Sequence, residues 1–173
     1  MIVKQSKQLE FDSDFNAFFP LKPGLQTSFS FIITFFFEGF SYFKEDFYLN
    51  NKLQINLLGE GSIGYENVNV SIDNVNNLIY ISEVYYDEDK PTTLEIEQFL
   101  DTENFIELCK IGFLNHASMT KENFIHILLS WDKAWSKSAP FALLYQDDKN
   151  WFDVLPFDSK EAMEKFVADH TKK

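Results

Sequence analysis

Apolar residues recur at every second position through much of the first hundred residues, the period of a strand with one face turned inward. The densest case is Ser28 to Phe37, Ser-Phe-Ser-Phe-Ile-Ile-Thr-Phe-Phe-Phe, a run without Gly, Pro or charge. Its β-branched and aromatic residues favour a strand, with Phe29, Phe31, Ile33, Phe35 and Phe37 on one face and Ile32 and Phe36 adding bulk to the other. Burial of each large apolar side chain is worth about 1.5–3 kcal/mol, so the run is expected as an inner strand that other segments cover. Glu38-Gly39 then predicts a turn, and Phe40 to Leu49 a returning strand. Lys52 to Leu58 sets Leu53, Ile55 and Leu57 against Gln54 and Asn56, and the next run sets Val68, Val70 and Ile72 against Asn69, Ser71 and Asp73. Asp73 to Asn77 supplies turn chemistry, Leu78 to Tyr86 pairs back, Asp87 to Pro91 turns again, and Thr92 to Glu97 alternates as one more strand. Residues 1–27 are mixed. Phe15, Phe18 and Phe19 suit a short amphipathic turn, broken by Pro20 and Pro23-Gly24.

The period changes near Asp101. Phe105, Ile106, Leu108, Cys109 and Ile111 fall at helical spacing, with Asp101 as N-cap and Gly112 as stop. Thr120 caps a longer helix, whose apolar stripe is Phe124, Ile125, Leu128, Leu129, Trp131 and Trp135, with Met119 placed to staple onto Phe124. Phe141 to Tyr145 and Trp151 to Leu155 form a hairpin, and Asp158 opens a last helix with Glu161 at the third position and Ala162, Met163, Phe166 and Val167 inward. The succession predicts an α+β fold: one domain over residues 1–173, a meandering antiparallel sheet in the first 100 residues packed against two or three helices, then a hairpin and a helix.

The 173 residues contain enough apolar material, 45% hydrophobic and 17% aromatic with 20 Phe, to exclude a disordered tail. Charge narrows the partners. The formal net charge is −12, and every one of the 15 basic residues is Lys. Without the guanidinium fork, and with that charge, recognition of nucleic acid or of an anionic membrane is disfavoured; a basic partner is favoured through steering. One cysteine, Cys109, allows no internal disulfide. The N-terminal residues lack the apolar core of a signal peptide, and no apolar run reaches the ~20 residues of a membrane span. The expected location is the cytoplasm.

Gly59-Glu60-Gly61-Ser62-Ile63-Gly64 matches G-x-G-x-x-G, but a dinucleotide site needs a helix directly afterwards, and Tyr65 to Ile72 alternates as a strand. Glu60 would also place an anion inside the cradle. The kinase partners of such a loop are missing, so a glycine-rich hairpin loop is expected. Asp12-Ser13-Asp14-Phe15-Asn16 opens as a calcium loop does, then places Ala17 at the sharp-turn glycine and Pro23 at the bidentate glutamate. Cys109, His116 and His126 lack paired zinc spacing, and Cys109 falls on an apolar helix face, where a buried thiol is the ordinary outcome. Asn69-Val70-Ser71 fits a glycosylation sequon, without weight absent a secretion signal. No catalytic residue, cofactor or metal is expected.

Acidic clusters beside aromatics are the remaining signal. Asp87, Glu88 and Asp89 follow Tyr85 and Tyr86; Glu95 and Glu97 project from the next segment; Asp147 and Asp148 precede Trp151. Charge for steering with rigid aromatic area for anchoring suits an interface with a basic protein. In its size, acidity and lack of an active-site motif, and in its closing Trp151 to Ser159 segment, Trp-Phe-Asp-Val-Leu-Pro-Phe-Asp-Ser, the chain resembles the immunity proteins of bacterial toxin systems, including contact-dependent growth inhibition. That resemblance implies a stoichiometric inhibitor of a cognate toxin, for instance a nuclease whose cationic groove the carboxylates fill. The alternative is a small enzyme or ligand-binding protein with an aromatic-lined cavity between sheet and helices.

Overall fold

The Phe-rich run from Ser28 is a helix. In the computed structural model, which describes residues 1–11, 17–18, 28–43, 61–64, 66–84, 90–137 and 139–171, helix α1 spans Ser28–Phe43. It continues through the expected turn at Glu38-Gly39 and takes in Phe40 to Phe43, the start of the expected returning strand. The rest of that strand, Lys52 to Leu58, and the tip from Tyr85 to Asp89 lie outside the described residues. Within α1, Phe29, Phe31, Ile32, Ile33, Phe35 and Phe36 are buried, while Ser30 and Thr34, one turn apart, are partly exposed. A helix covered on most sides reads as a continuous apolar run, and its only periodic signal is the spacing of its polar residues. Sixteen residues in one element also exceed the usual length of a strand.

The fold is α+β, and backbone contacts gather into two compact units, Met1–Lys22 with Met119–Lys173, and Pro23–Ser118. In the second, β3 (Gly61–Gly64), β4 (Val68–Asp73) and β5 (Leu78–Glu83) are successive antiparallel neighbours, and β6 (His116–Thr120), in which Ser118 is the last residue of this unit, completes the order β3-β4-β5-β6. Gly61–Gly64, expected as loop, thus pairs as a strand with β4, so the helix that a phosphate cradle requires does not follow it. α1 packs on β4 and β5. Every residue of β4 is buried, including Asn69, Ser71 and Asp73. Asn69 Nδ2 donates to Ser71 Oγ at 3.1 Å, which satisfies part of that polar row internally.

Thr92 to Glu97, expected as a strand, starts a helix instead. Thr93 is the N-cap of α2 (Leu94–Asp101), its hydroxyl accepting from Ile96 N at 3.3 Å. Ile96, Phe99 and Leu100 fall at i, i+3 and i+4 against a cluster of Tyr80, Leu108, Cys109 and Leu114. Asp101 therefore ends one helix rather than capping the next; Asn104 caps α3 (Phe105–Lys110), its side chain accepting from Glu107 N. Gly112 stops α3 as expected, at φ +75°.

In the first unit the sheet order is β2-β1-β7-β8, built from β1 (Val3–Phe11), β2 (Ala17–Phe18), β7 (Phe141–Asp147) and β8 (Phe152–Phe157). The hairpin β7–β8 and the helix α4 (Lys121–Ser136) follow the sequence pattern, with Thr120 Oγ1 accepting from Asn123 N at 3.2 Å. The last helix, α5 (Lys160–His170), is capped by Ser159 rather than Asp158, and Ala162 is exposed; Met163 is buried, with Phe166 and Val167 beside it. One face of the sheet gathers Val3, Leu143 and Tyr145 against Met163. On the other, Phe11 meets the α4 rings of Trp131 and Trp135 edge-on, with centroids 5.6 and 5.9 Å away. β1 was not legible, because only Val3 and Leu9 of its nine residues are buried. Its strand character comes from pairing with β7, whose register runs from Val3↔Asp147 to Glu10↔Phe141.

The packing separates cap from core. Thr120→Ala should cost about 1 kcal/mol, and Phe124→Ala, at a fully buried site, about 3–5 kcal/mol. Urea unfolding of the two variants checks this, and comparable losses would mean that α4 is not held by its buried face.

Candidate functional site

Of the ten residues expected at a partner surface, Tyr85, Tyr86, Asp87, Glu88 and Asp89 lie outside the described residues. The other five fall in different units. Glu95 and Glu97 occupy the first turn of α2, where carboxylates complement the helix dipole. Thr92 Oγ1 donates to Glu97 Oε1 at 3.0 Å, and both Glu95 and Glu97 are exposed. None of the eight residues of α2 is buried, and Leu94 at its start is 86% exposed.

Asp147, Asp148 and Trp151 sit at the β7–β8 turn, with distinct duties. Asp147 Oδ1 accepts from Lys149 N at 2.9 Å and Trp151 N at 2.8 Å, and Asn150 takes φ +64°. Its carboxylate therefore builds the turn. Asp148 is exposed, its N–H donating to Ile2 O at 3.1 Å. Trp151 is 36% exposed, its ring centroid 5.4 Å from that of His126.

Below Trp151 lies a constellation with no signature in the sequence. His126 Nε2 is 2.9 Å from Asp153 Oδ1, and Ser130 Oγ is 3.4 Å from the same nitrogen. Tyr145 donates its hydroxyl to Asp153 Oδ2 at 3.2 Å. Burial, reinforced by that carboxylate, pushes the Tyr145 hydroxyl well above its ordinary range and keeps it a donor. The residue types are those of a hydrolase triad, but the triad uses one imidazole nitrogen toward the carboxylate and the other toward the nucleophile. Here Nε2 serves both, so His126 cannot take the Ser130 proton on one nitrogen while Asp153 holds the other. His126 and Ser130 are one helical turn apart and visible as such; Asp153 arrives from β8 only through the fold.

The second unit carries an open cleft of about 740 Å³ between the β4–β5 turn and the α2–α3 junction. Its lining is mainly polar and includes Asp73, Glu103, Glu107 and Lys110, with Phe105 and Ile106 among the apolar members. Lys110 Nζ lies 2.8 Å from Glu107 Oε1 and 3.4 Å from the buried Asp73 Oδ2. Hydrogen bonds from Asn76 hold the Asp73 carboxyl below its usual range, with Lys110 adding to the effect, and Glu107 in turn raises Lys110. Cys109 is buried; burial pushes its thiol up to about 12, against a smaller opposing pull from Ser82. A thiol so protonated is a poor nucleophile. His116 spends Nδ1 on Leu114 O at 3.2 Å and packs on Tyr80. Among the described residues no three His, Cys, Asp or Glu side chains come together to hold a metal, and no helix is long and apolar enough to cross a membrane.

No protein-family profile matches the chain, and no characterised protein or solved structure is significantly similar to it.

Because the folded pKa of Asp73 is lowered, its charge stabilises the fold above the unfolded carboxylate range, and that gain is lost as pH falls through the lowered folded pKa. Asp73→Asn should therefore destabilise the chain most near neutral pH. The gap to wild type should shrink in urea melts at about pH 3; a gap of the same size at both values would show that the charge of Asp73 contributes nothing.

Proposed function

We propose that this chain is a stoichiometric binding protein for a basic protein surface, acting in the cytoplasm in the manner of the toxin-immunity proteins it resembles, and that it transforms no substrate. The observation that carries this reading is α2. A helix with no buried residue presents Glu95 and Glu97 in its first turn beside an exposed Leu94. Apolar area rimmed by one sign of charge is the composition of a protein-binding patch, and a net charge of −12 supplies long-range attraction to a cation-rich partner. Trp151 over His126, beside the exposed Asp148, offers a second patch of rigid aromatic area. The shared Nε2 of the Ser130, His126 and Asp153 group supports a binding role over hydrolysis.

An inhibitor of this kind is encoded beside its toxin, so co-purification with the product of the adjacent gene tests the reading directly. Association should slow as salt rises while dissociation changes little, since screening acts on the encounter. Glu95→Lys combined with Glu97→Lys should slow association about tenfold, whereas Trp151→Ala should cost about 2 kcal/mol, mainly through faster dissociation. An affinity that stays flat from low to high salt would sink the electrostatic mechanism.

A second reading, a small-ligand-binding protein, has the Asp73–Lys110 cleft in its favour, because a polar ligand can exchange for Lys110 on a carboxylate already held in place. A rise in melting temperature with a free amino acid or polyamine, lost in Asp73→Asn, would favour it.

A further inference from the structure

Sheet edges offer unpaired N–H and C=O groups to any extended chain nearby. Among the described residues of the first unit, one edge strand, β2, is two residues long, whereas β8 at the other edge has six. The register of the β7–β8 ladder sets Asp153, Leu155 and Phe157 alternately with Phe152, Val154 and Pro156. The N–H groups of Phe152 and Val154 both find side-chain partners. Phe152 N donates to Asn123 Oδ1 at 2.9 Å, and Asn123 Nδ2 donates back to Phe152 O at 2.7 Å. Val154 N donates to Asp153 Oδ1 at 2.7 Å. Pro156 has no N–H at all.

We infer that Asn123 is an edge guard: its carboxamide takes the place of a neighbouring strand's peptide group on β8 and, with Asp153 and Pro156, closes this sheet to strand addition. A primary amide carries the same acceptor and donor as a backbone peptide unit, and at 2% exposed Asn123 holds this pair without competition from water. Its position allows this. As the third residue of α4 its own N–H is taken by Thr120, and its side chain reaches across to β8. Glu or Gln at this position more often reaches back to the cap residue in a capping box. A partner can then meet this side of the unit only through side chains, not by extending the sheet. The inference stands on the β8 geometry and does not depend on what the chain binds.

Asn123→Leu removes the surrogate peptide at similar volume. In this variant the Phe152 amide should exchange with solvent at least about tenfold faster than in wild type. Sedimentation should also show a larger assembly than wild type, growing with concentration. A folded Asn123→Leu that keeps wild-type mass and Phe152 protection overturns the inference. Should that variant fail to fold, Asn123→Ala carries the same two readouts. Wild type itself is a further check: Phe152 must be protected although its N–H belongs to an edge strand, and free exchange there would likewise overturn the proposal.

Discussion

The ladder between β1 and β7 is the contact on which the first unit depends. It joins residues 3–10 to residues 141–147, so the two ends of the chain form one sheet across more than a hundred intervening residues. Neither strand stands alone: β1 is largely polar and exposed, and β7, buried at four successive residues, needs a neighbour on each side for its backbone groups. Once the ladder is made, the sheet has two apolar faces. Met163 of α5 covers Leu143 and Tyr145 on one, and the tryptophans of α4 meet Phe11 on the other. The closure entropy of so long a loop is recovered only when both faces are covered, which links formation of α4 and α5 to the sheet.

A net charge of −12 invites the view that the acidic residues form one reservoir for a partner, and the side-chain contacts divide them. Asp147 builds a turn, Asp153 holds Tyr145, His126 and Val154 N, and Asp73 binds Asn76 and Lys110. Glu83 accepts from Lys90 and from both nitrogens of Asn115, and Glu38 is buried against Asn67. These carboxylates are spent on the fold, where a buried or half-buried acceptor satisfies donors that water no longer reaches. Glu95 and Asp148 are instead presented to solvent, and they carry the greater weight in any electrostatic encounter.

The same division explains which parts of the candidate site could be read in advance. Glu95, Glu97, Asp148 and Trp151 were identifiable because acidic residues beside aromatics or in polar segments are local features. Their settings were not, since Glu95 and Glu97 belong to a helical turn capped by Thr93 rather than to a strand face. The Ser130, His126 and Asp153 group and the Asn123 contact with Phe152 had no sequence spacing to announce them, because each joins α4 to a strand some twenty to thirty residues later.

By itself the sequence determined the α+β class, the β4–β5 pair and its Asp73 turn, the β7–β8 hairpin, the Thr120-capped helix and the Gly112 stop. In each, the period, the turn residues and the cap all favour the same local structure. Tertiary structure decided the rest. Ser28–Phe43 satisfies a strand pattern and a buried helix equally well until neighbours cover it from several sides, and then the helix, which pairs its own backbone, prevails. Val3–Phe11 is a strand only because β7 is there to pair with it. Asn123 became part of a sheet edge for the same reason: hydrogen-bond partners are chosen in space, after the chain has brought them within three ångströms.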